Sequence, residues 1–333
     1  VNIQSTQENR WQFGDSELNK LLDPKIKAFF LVNPGNPSAV ALSAKTIAKI
    51  GAIIKKRPDL ILLTDDVYGT FVPGFRSLLG AYPYNTIGVY SYSKYFGCTG
   101  WRLGVIAVHE DNLFDKLIAQ HPEPVLKKID KRYSALTLEP RKMRFIDRIV
   151  ADSRDVALNH TAGLSLPQQV MMLLFSAYEL MDTKKHYQKA CMGIVKKRVE
   201  ATLEGLGLDV PSNELHDNYY GLIDFEYWAR KNLGEDVVAW MKENVHPLDI
   251  VFRLAEDHGI VLLNGSGFEA PDWSVRVSFA NLDDHVYDDI GRAVKAVARS
   301  YRQAYEASKG KAVKTARTAP AKVKTDPKPR AKK

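Results

Sequence analysis

Lys94 is the residue of this chain best suited to bond a ligand. It follows the apolar run Thr86–Tyr92 in the motif Ser91-Tyr92-Ser93-Lys94. A lysine at the end of an apolar strand can be desolvated, which lowers its pKa and favours a neutral amine able to form Schiff bases. Upstream, Asp65 and Tyr68 follow a second apolar run, and Asn33 and Asn36 follow a third in Asn-Pro-Gly-Asn-Pro. Downstream, a glycine-rich turn carries Arg102. A carboxylate such as Asp65 can pair with a protonated pyridine nitrogen. The phenol of Tyr68 and the amide of Asn36 can hydrogen-bond a ring hydroxyl. Ser91, Ser93 and Arg102 can grip a phosphate, the guanidinium bidentately. Singly, each has an ordinary reading as a cap, a packed ring, a solvated lysine or a turn. Together they suit one ligand, pyridoxal 5′-phosphate.

Such residues need a scaffold that gathers strand ends. Residues 26–32, Leu60–Leu63, Thr86–Tyr92 and Trp101–Val108 have strand character, and Ser43–Lys56 has helical spacing with Ser43 as N-cap. Strand, helix, strand in that order predicts an α/β fold with a largely parallel sheet. Lys27–Val32 is apolar on both faces after its first residue, as in an interior strand covered by helices. Ligands of open α/β sheets bind at the carboxyl ends of the strands, where the polar residues are delivered. Lys116–Val150 is charged and predicts a helical excursion. Ser165–Leu206 predicts two long helices broken near Asp182–Thr183. From Leu208 the pattern is that of a smaller α+β domain, with strands at Tyr219–Phe225, Ile260–Leu263 and Ser274–Phe279. Its helices are expected at Glu235–Asn244, Pro247–His258 and Asp283–Ala307, with Pro247 at a first helical position.

These motifs resemble the fold-type I aminotransferase superfamily, in its aspartate aminotransferase branch. The resemblance rests on Asn36 in NPGNPSA, Asp65 and Tyr68 in TDDVYGTF, Ser91, Ser93 and Lys94 in SYSK, Arg102 in GWRLG, and Arg276 in SVRVSFANL. It implies that Lys94 is the Schiff-base lysine and Arg276 the arginine for the substrate α-carboxylate, assisted by Asn36. Asp65 and Tyr68 are then catalytic as well as cofactor-binding. The excursion and the segment DSRDVALNHTAGLS are similar to the bacterial aspartate 4-decarboxylases within that branch. The implied activity converts L-aspartate to L-alanine and carbon dioxide, with amino transfer as a side activity, in a homodimer or larger homo-oligomer. The stretch Arg154–Thr161 is a candidate contributor to the distal-carboxylate pocket across a dimer interface. The implied organisation is the C-terminal part of the cofactor-binding large domain over 1–163, interdomain helices over 164–206, the small domain over 207–308 and a basic tail over 309–333. In such proteins a long segment precedes one like residues 1–31. It carries further strands of the large sheet, the phosphate-binding helix N-terminus and an aromatic that stacks on the pyridine. The chain is therefore expected to correspond to the C-terminal three-fifths of such an enzyme.

Composition narrows the alternatives. The 333 residues are 45% hydrophobic and 26% charged, which excludes wholesale disorder, collagen and coiled coil. The net charge of +8 is local. Residues 306–333 hold ten Lys and Arg against two acids, and the other 305 residues hold 37 of each sign. That tail lacks periodicity and any aromatic beyond Tyr305, so it is expected to be disordered and solvated rather than bound to nucleic acid. Cys98 and Cys191 imply no disulfide framework and fit a reducing, cytoplasmic setting. No apolar run reaches the ~20 residues of a membrane span. His160 and His186 lack partners at helical spacing, so no metal is expected. A plain aminotransferase using the same residues is the nearest alternative. An inactive truncated module is another. An effector-sensing domain would need a DNA-binding partner domain, and no helix-turn-helix pattern is visible.

Overall fold

The apolar runs of the first half become a four-stranded sheet in the computed structural model, which describes residues 1–156, 163–209 and 213–310. Helix α1 (Asp15–Asn19) precedes it. Strands β1 (Ala28–Val32), β2 (Ile61–Asp65) and β3 (Thr86–Ser91) lie parallel in chain order, and β4 (Gly104–Val108) runs antiparallel to β3. The register sets Val32 beside Asp65 and Asp65 beside Val89, so the residues that follow all emerge at one end of the sheet. Helix α2 (Ala44–Lys56) crosses from β1 to β2. Ser43 Oγ accepts the Thr46 N–H at 3.1 Å, and Lys55 and Lys56 complement the dipole in the last turn. Ile47, Ile50 and Ile53 share the face that packs against Phe29, Leu31 and Leu62. Helix α3 (Leu78–Ala81) leads into β3.

Two strands depart from expectation. Phe29 and Leu31 of β1 are buried, but Ala28 and Phe30 are exposed, Phe30 to 63%. Among the described residues only β2 pairs with β1, so its outer edge and one face lack cover. Strand β4 starts at Gly104 rather than Trp101, because Thr99–Trp101 form a 3₁₀ turn and Arg102 takes left-handed backbone at φ 56°.

The charged excursion holds α4 (Leu113–Ala119), α5 (Glu123–Tyr133) and α6 (Phe145–Val156). Arg141 pairs with Glu123 and Asp130, and Arg132 with Asp152. Helix α7 (Leu166–Met181) opens on a reciprocal Ser165–Gln168 capping box, and α8 (His186–Leu206) follows. The second sheet is antiparallel, with β7 (Ser274–Ser278) between β5 (Tyr220–Asp224) and the two-residue β6 (Leu263–Asn264). Around it lie α9 (Phe225–Leu233), α10 (Glu235–Asn244), α11 (Asp249–His258) and α12 (Val286–Gly310). Helix α9 was not legible in the pattern. It starts directly from β5 because the Asp224 side chain accepts the Tyr227 N–H at 2.9 Å. Pro247 lies in the turn before α11, not at its first position. Helices α8 and α12 approach closely where both carry glycine. A Cβ at Gly205 would stand 2.6 Å from the Asp288 carbonyl oxygen, and one at Gly291 would collide with that of Thr202. Lys309 belongs to α12, and the tail from 311 lies outside the described residues.

The uneven cover of the first sheet has a measurable consequence. Leu62→Ala, at a fully buried position, is expected to cost about 2–5 kcal/mol. Phe30→Thr is expected to change stability by less than about 0.5 kcal/mol. Denaturant midpoints check both, and similar losses at the two positions would contradict the assignment of an open face.

Candidate active site

The loop after β1 is anchored at both ends. The Asn33 N–H donates to the Asp65 carbonyl at 2.8 Å, and Asn33 Oδ1 accepts the Leu42 N–H at 2.9 Å. Farther along, the Ala41 N–H donates to the Leu215 carbonyl and the Asp217 N–H to the Ala39 carbonyl, both at 2.8 Å. These bonds flank an antiparallel bridge between Val40 and His216. This short ladder fastens the carboxyl end of the first sheet to the segment that enters β5.

Just beyond the ladder, Tyr219 and Tyr220 enter the core beside Tyr68. The Tyr68 ring centroid lies 5.3 Å from that of Tyr219 and 5.4 Å from that of Tyr220. The two cations singled out in the sequence flank this cluster. Lys94 Nζ, on a half-buried side chain, stands 5.7 Å from the Tyr219 centroid. The Arg276 guanidinium on β7 is sandwiched between Tyr220 at 4.4 Å and Phe268 at 4.1 Å. It also donates to Asn36 Oδ1 at 3.1 Å. Ring faces and an amide oxygen attract a positive charge without cancelling it. Both side chains are thus positioned without a carboxylate partner among the described residues.

The turn bearing Lys94 is clamped by α7 and α8. Tyr92 and Ser176 share a hydroxyl–hydroxyl bond of 2.8 Å. The Tyr95 hydroxyl donates to Glu179 at 3.0 Å, and the Tyr187 hydroxyl donates to the Tyr95 carbonyl at 2.9 Å. The Ser91 hydroxyl donates to Ser93 Oγ at 2.8 Å. Arg102 is exposed, and its Nη1 donates to the Thr99 carbonyl at 3.0 Å. Among the described residues no hydrogen bond joins Arg102 to Ser91, Ser93 or Lys94.

Burial dominates the electrostatics. It raises the Asp65 carboxyl above the usual range, partly offset by the Val67 N–H at 3.1 Å. It raises Asp66 likewise, against hydrogen bonds from Ser77 and Thr64. Burial first, then the neighbouring Tyr220, pushes the Tyr68 hydroxyl well up, so it remains a donor. Almost complete burial raises the Asp217 carboxyl well above the usual range. The His216 imidazole is pushed down by burial, and its Nδ1 accepts the Asn218 N–H at 3.0 Å.

The structure therefore gathers Asn36, Tyr68, Lys94 and Arg276 around one aromatic cluster, with Asp65 at the adjoining strand end. It leaves Ser91 and Ser93 paired to each other and Arg102 turned to its own loop. One amine, one half-buried carboxyl, a phenol, a carboxamide, two hydroxyls and a guanidinium form a donor set that suits a phosphorylated pyridine aldehyde. Sequence reasoning missed Tyr219, Tyr220, Phe268 and Asp217. The adjacent tyrosines at a strand start were a visible signal, but their contacts span distant segments. Arg154 is exposed near the end of α6. Residues 157–161 of the proposed distal-carboxylate stretch, His160 among them, lie outside the described residues. No group of three or more His, Cys, Asp or Glu among the described residues is arranged to hold a metal.

Known proteins share this arrangement of elements. The family described as aminotransferase class I and II matches residues 1–294. A bifunctional aspartate aminotransferase and L-aspartate beta-decarboxylase of Pseudomonas sp is 47% identical over 308 residues, covering 92% of this chain and 58% of that relative. The chain thus spans about three-fifths of that relative's length. The aspartate aminotransferase from Thermus thermophilus with maleate superposes with a TM-score of 0.60 at 18% identity, over 90% of this chain and 63% of that one. A PLP-dependent aminotransferase from Streptococcus suis gives 0.61 at 17%, over 90% and 64%. At these identities the solved structures speak to the fold alone.

The ladder carries its own pH signature. Because burial favours the neutral ring of His216, its contribution is complete above the unfolded value of 6.5 and is lost as pH falls below it. His216→Gln is expected to lose less stability than the wild type between about pH 7.5 and pH 5.5. Equal losses, measured by denaturation at both pH values, would show that His216 does not titrate with folding.

Proposed function

Because the chain belongs to the class I and II aminotransferases, we propose that it carries the lysine- and arginine-bearing part of a pyridoxal-phosphate enzyme that decarboxylates L-aspartate at C4. The products are L-alanine and carbon dioxide, and amino transfer is a side activity. The observation that carries this reading is the placement of Lys94 and Arg276 on either side of one tyrosine cluster, each held by neutral groups. The choice of aspartate and of decarboxylation is supported by the likeness to the bifunctional relative over 92% of the chain.

Pyridoxal phosphate, when bound, supplies an aldehyde that captures amines and a protonated ring that withdraws electrons from the bonds around the amino-acid carbon. Lys94 holds the cofactor through its amine and, once displaced by substrate, takes and returns the proton at the substrate Cα. Asp65 keeps the ring nitrogen protonated. A carboxyl whose charged form is disfavoured by burial gains from a cation brought alongside. Tyr68, kept protonated by burial, and Asn36 donate to the ring oxygen. Ser91, Ser93 and Arg102 serve the phosphate, and Arg102 must leave the Thr99 carbonyl to do so. Arg276 binds the α-carboxylate through its planar fork, with the plane fixed between Tyr220 and Phe268. In the net reaction the bond from Cβ to the distal carboxyl breaks, carbon dioxide leaves without the bonding pair, and a proton replaces it at Cβ.

The remainder of the site, including the distal-carboxylate pocket, is assigned to the part of the relatives' length that this chain does not span and to a neighbouring subunit. Residues 1–163 then contribute to the cofactor-binding domain and 207–308 to the small domain. A homodimer or larger homo-oligomer is supported by α7, where Leu173, Leu180 and Met181 are largely exposed. No helix of the described residues is long and apolar enough to cross a membrane. The free cysteines favour the cytoplasm.

In the holoenzyme, Lys94→Ala is expected to abolish turnover and the borohydride-fixed pyridoxyl label. Label on a peptide lacking Lys94 would refute the assignment. Arg276→Ala is expected to raise KM for aspartate about 10- to 100-fold, the worth of charged hydrogen bonds. Wild-type products decide the reaction: alanine with equimolar carbon dioxide supports decarboxylation, and keto acid without carbon dioxide identifies a plain aminotransferase.

A further inference from the structure

Asp217 has no role in the chemistry above, yet it sits where the parts of the site meet. The residue is 1% exposed. Oδ1 accepts the Tyr219 N–H at 2.7 Å, and the Tyr220 N–H also favours its charged form. Its own N–H closes the ladder to Ala39. Oδ2 is buried without a partner. A buried polar side chain with one oxygen left unsatisfied is a costly way to make a turn, so its presence demands a reason. The segment it organises supplies one. Tyr219 faces Lys94, and Tyr220, the next residue, forms one wall of the Arg276 sandwich. Adjacent residues can send their rings to two different cations only if the backbone between them is fixed. A side-chain oxygen that accepts the backbone N–H two residues on fixes the turn between them, as a neutral acceptor also can.

We infer that Asp217 is a positioning residue: its buried carboxyl fixes the Tyr219–Tyr220 backbone so that one ring faces Lys94 and the other flattens Arg276 for the substrate carboxylate. The inference rests on the functional reading given above. It separates Asp217 from a merely structural buried acid, because it requires substrate affinity and Lys94 accessibility to change together, apart from stability.

The test compares Asp217→Ala with Asp217→Asn, which keeps the Oδ1 acceptor. Two readouts are taken on the holoenzyme and the full chain. One is the split between KM and kcat for aspartate. The other is the rate at which Lys94, freed of bound cofactor, is relabelled by added pyridoxal phosphate with borohydride, followed by peptide mass. Asp217→Ala is expected to raise KM about tenfold with kcat changed less than about threefold, and to slow labelling about fivefold, the scale of one lost hydrogen bond. Asp217→Asn is expected to restore both to within about twofold. Wild-type KM and labelling rate in Asp217→Ala would overturn the inference. So would an Asp217→Asn variant with wild-type melting but a raised KM and slowed labelling. If Asp217→Ala does not fold, Asp217→Ser and Asp217→Asn decide by the same readouts. A wild-type protein that does not label at Lys94 would overturn the functional reading instead.

Discussion

Two backbone segments depend on the ladder between Ala39–Ala41 and Leu215–Asp217. On one side it extends the loop that Asn33 pins to the end of β2. On the other it sets the entry of β5. It lies close in sequence to Asn36, whose 3.1 Å bond with Arg276 spans 240 residues. Two backbone hydrogen bonds contribute only about 1–3 kcal/mol net. Their importance is geometric, because they tie the loop after β1 to the segment entering β5 while the aromatic core beneath supplies the burial.

That core is continuous across the junction. Val67, Tyr68, Phe71 and Tyr95 from the first half pack with Tyr219, Tyr220 and the interior of the second sheet. Tyrosines suit such a place. They bury large ring area, and their faces carry the partial negative charge that holds Lys94 and Arg276 without neutralising them. A carboxylate partner would have held either cation more tightly, but would have competed with the anion or carbonyl that the site is proposed to take. Behind the cluster, the clamp of α7 and α8 on Tyr92 and Tyr95 restrains the turn on both sides of Lys94.

Much of the first half was legible because each signal was local. Ser43 capping, the 3.6-residue recurrence of Ile47 and Ile50, and apolar runs ending in polar residues all act within a few positions. The failures were of two kinds. Apolar composition predicts burial of β1 on both faces, but cover is a property of neighbours, and Phe30 stays mostly exposed. The bounds of β4 and α11 depended on backbone choices at Arg102 and around Pro247 that residue preference leaves open.

The same division holds at the site. By itself the sequence determined which chemical groups are present, their order on successive strand ends and the family they resemble, since strand, helix and strand connect those groups with one handedness and deliver them to one edge. Only the tertiary structure decided that Tyr219, Tyr220 and Phe268 hold the two cations, that Arg102 rests on its own turn, and that Asp217 lies buried beneath the junction. The physical reason is range. Caps and periodicity act over a turn or a strand, whereas a ring finds its cation, and a carboxyl loses its water, only when segments far apart in the chain close on one another.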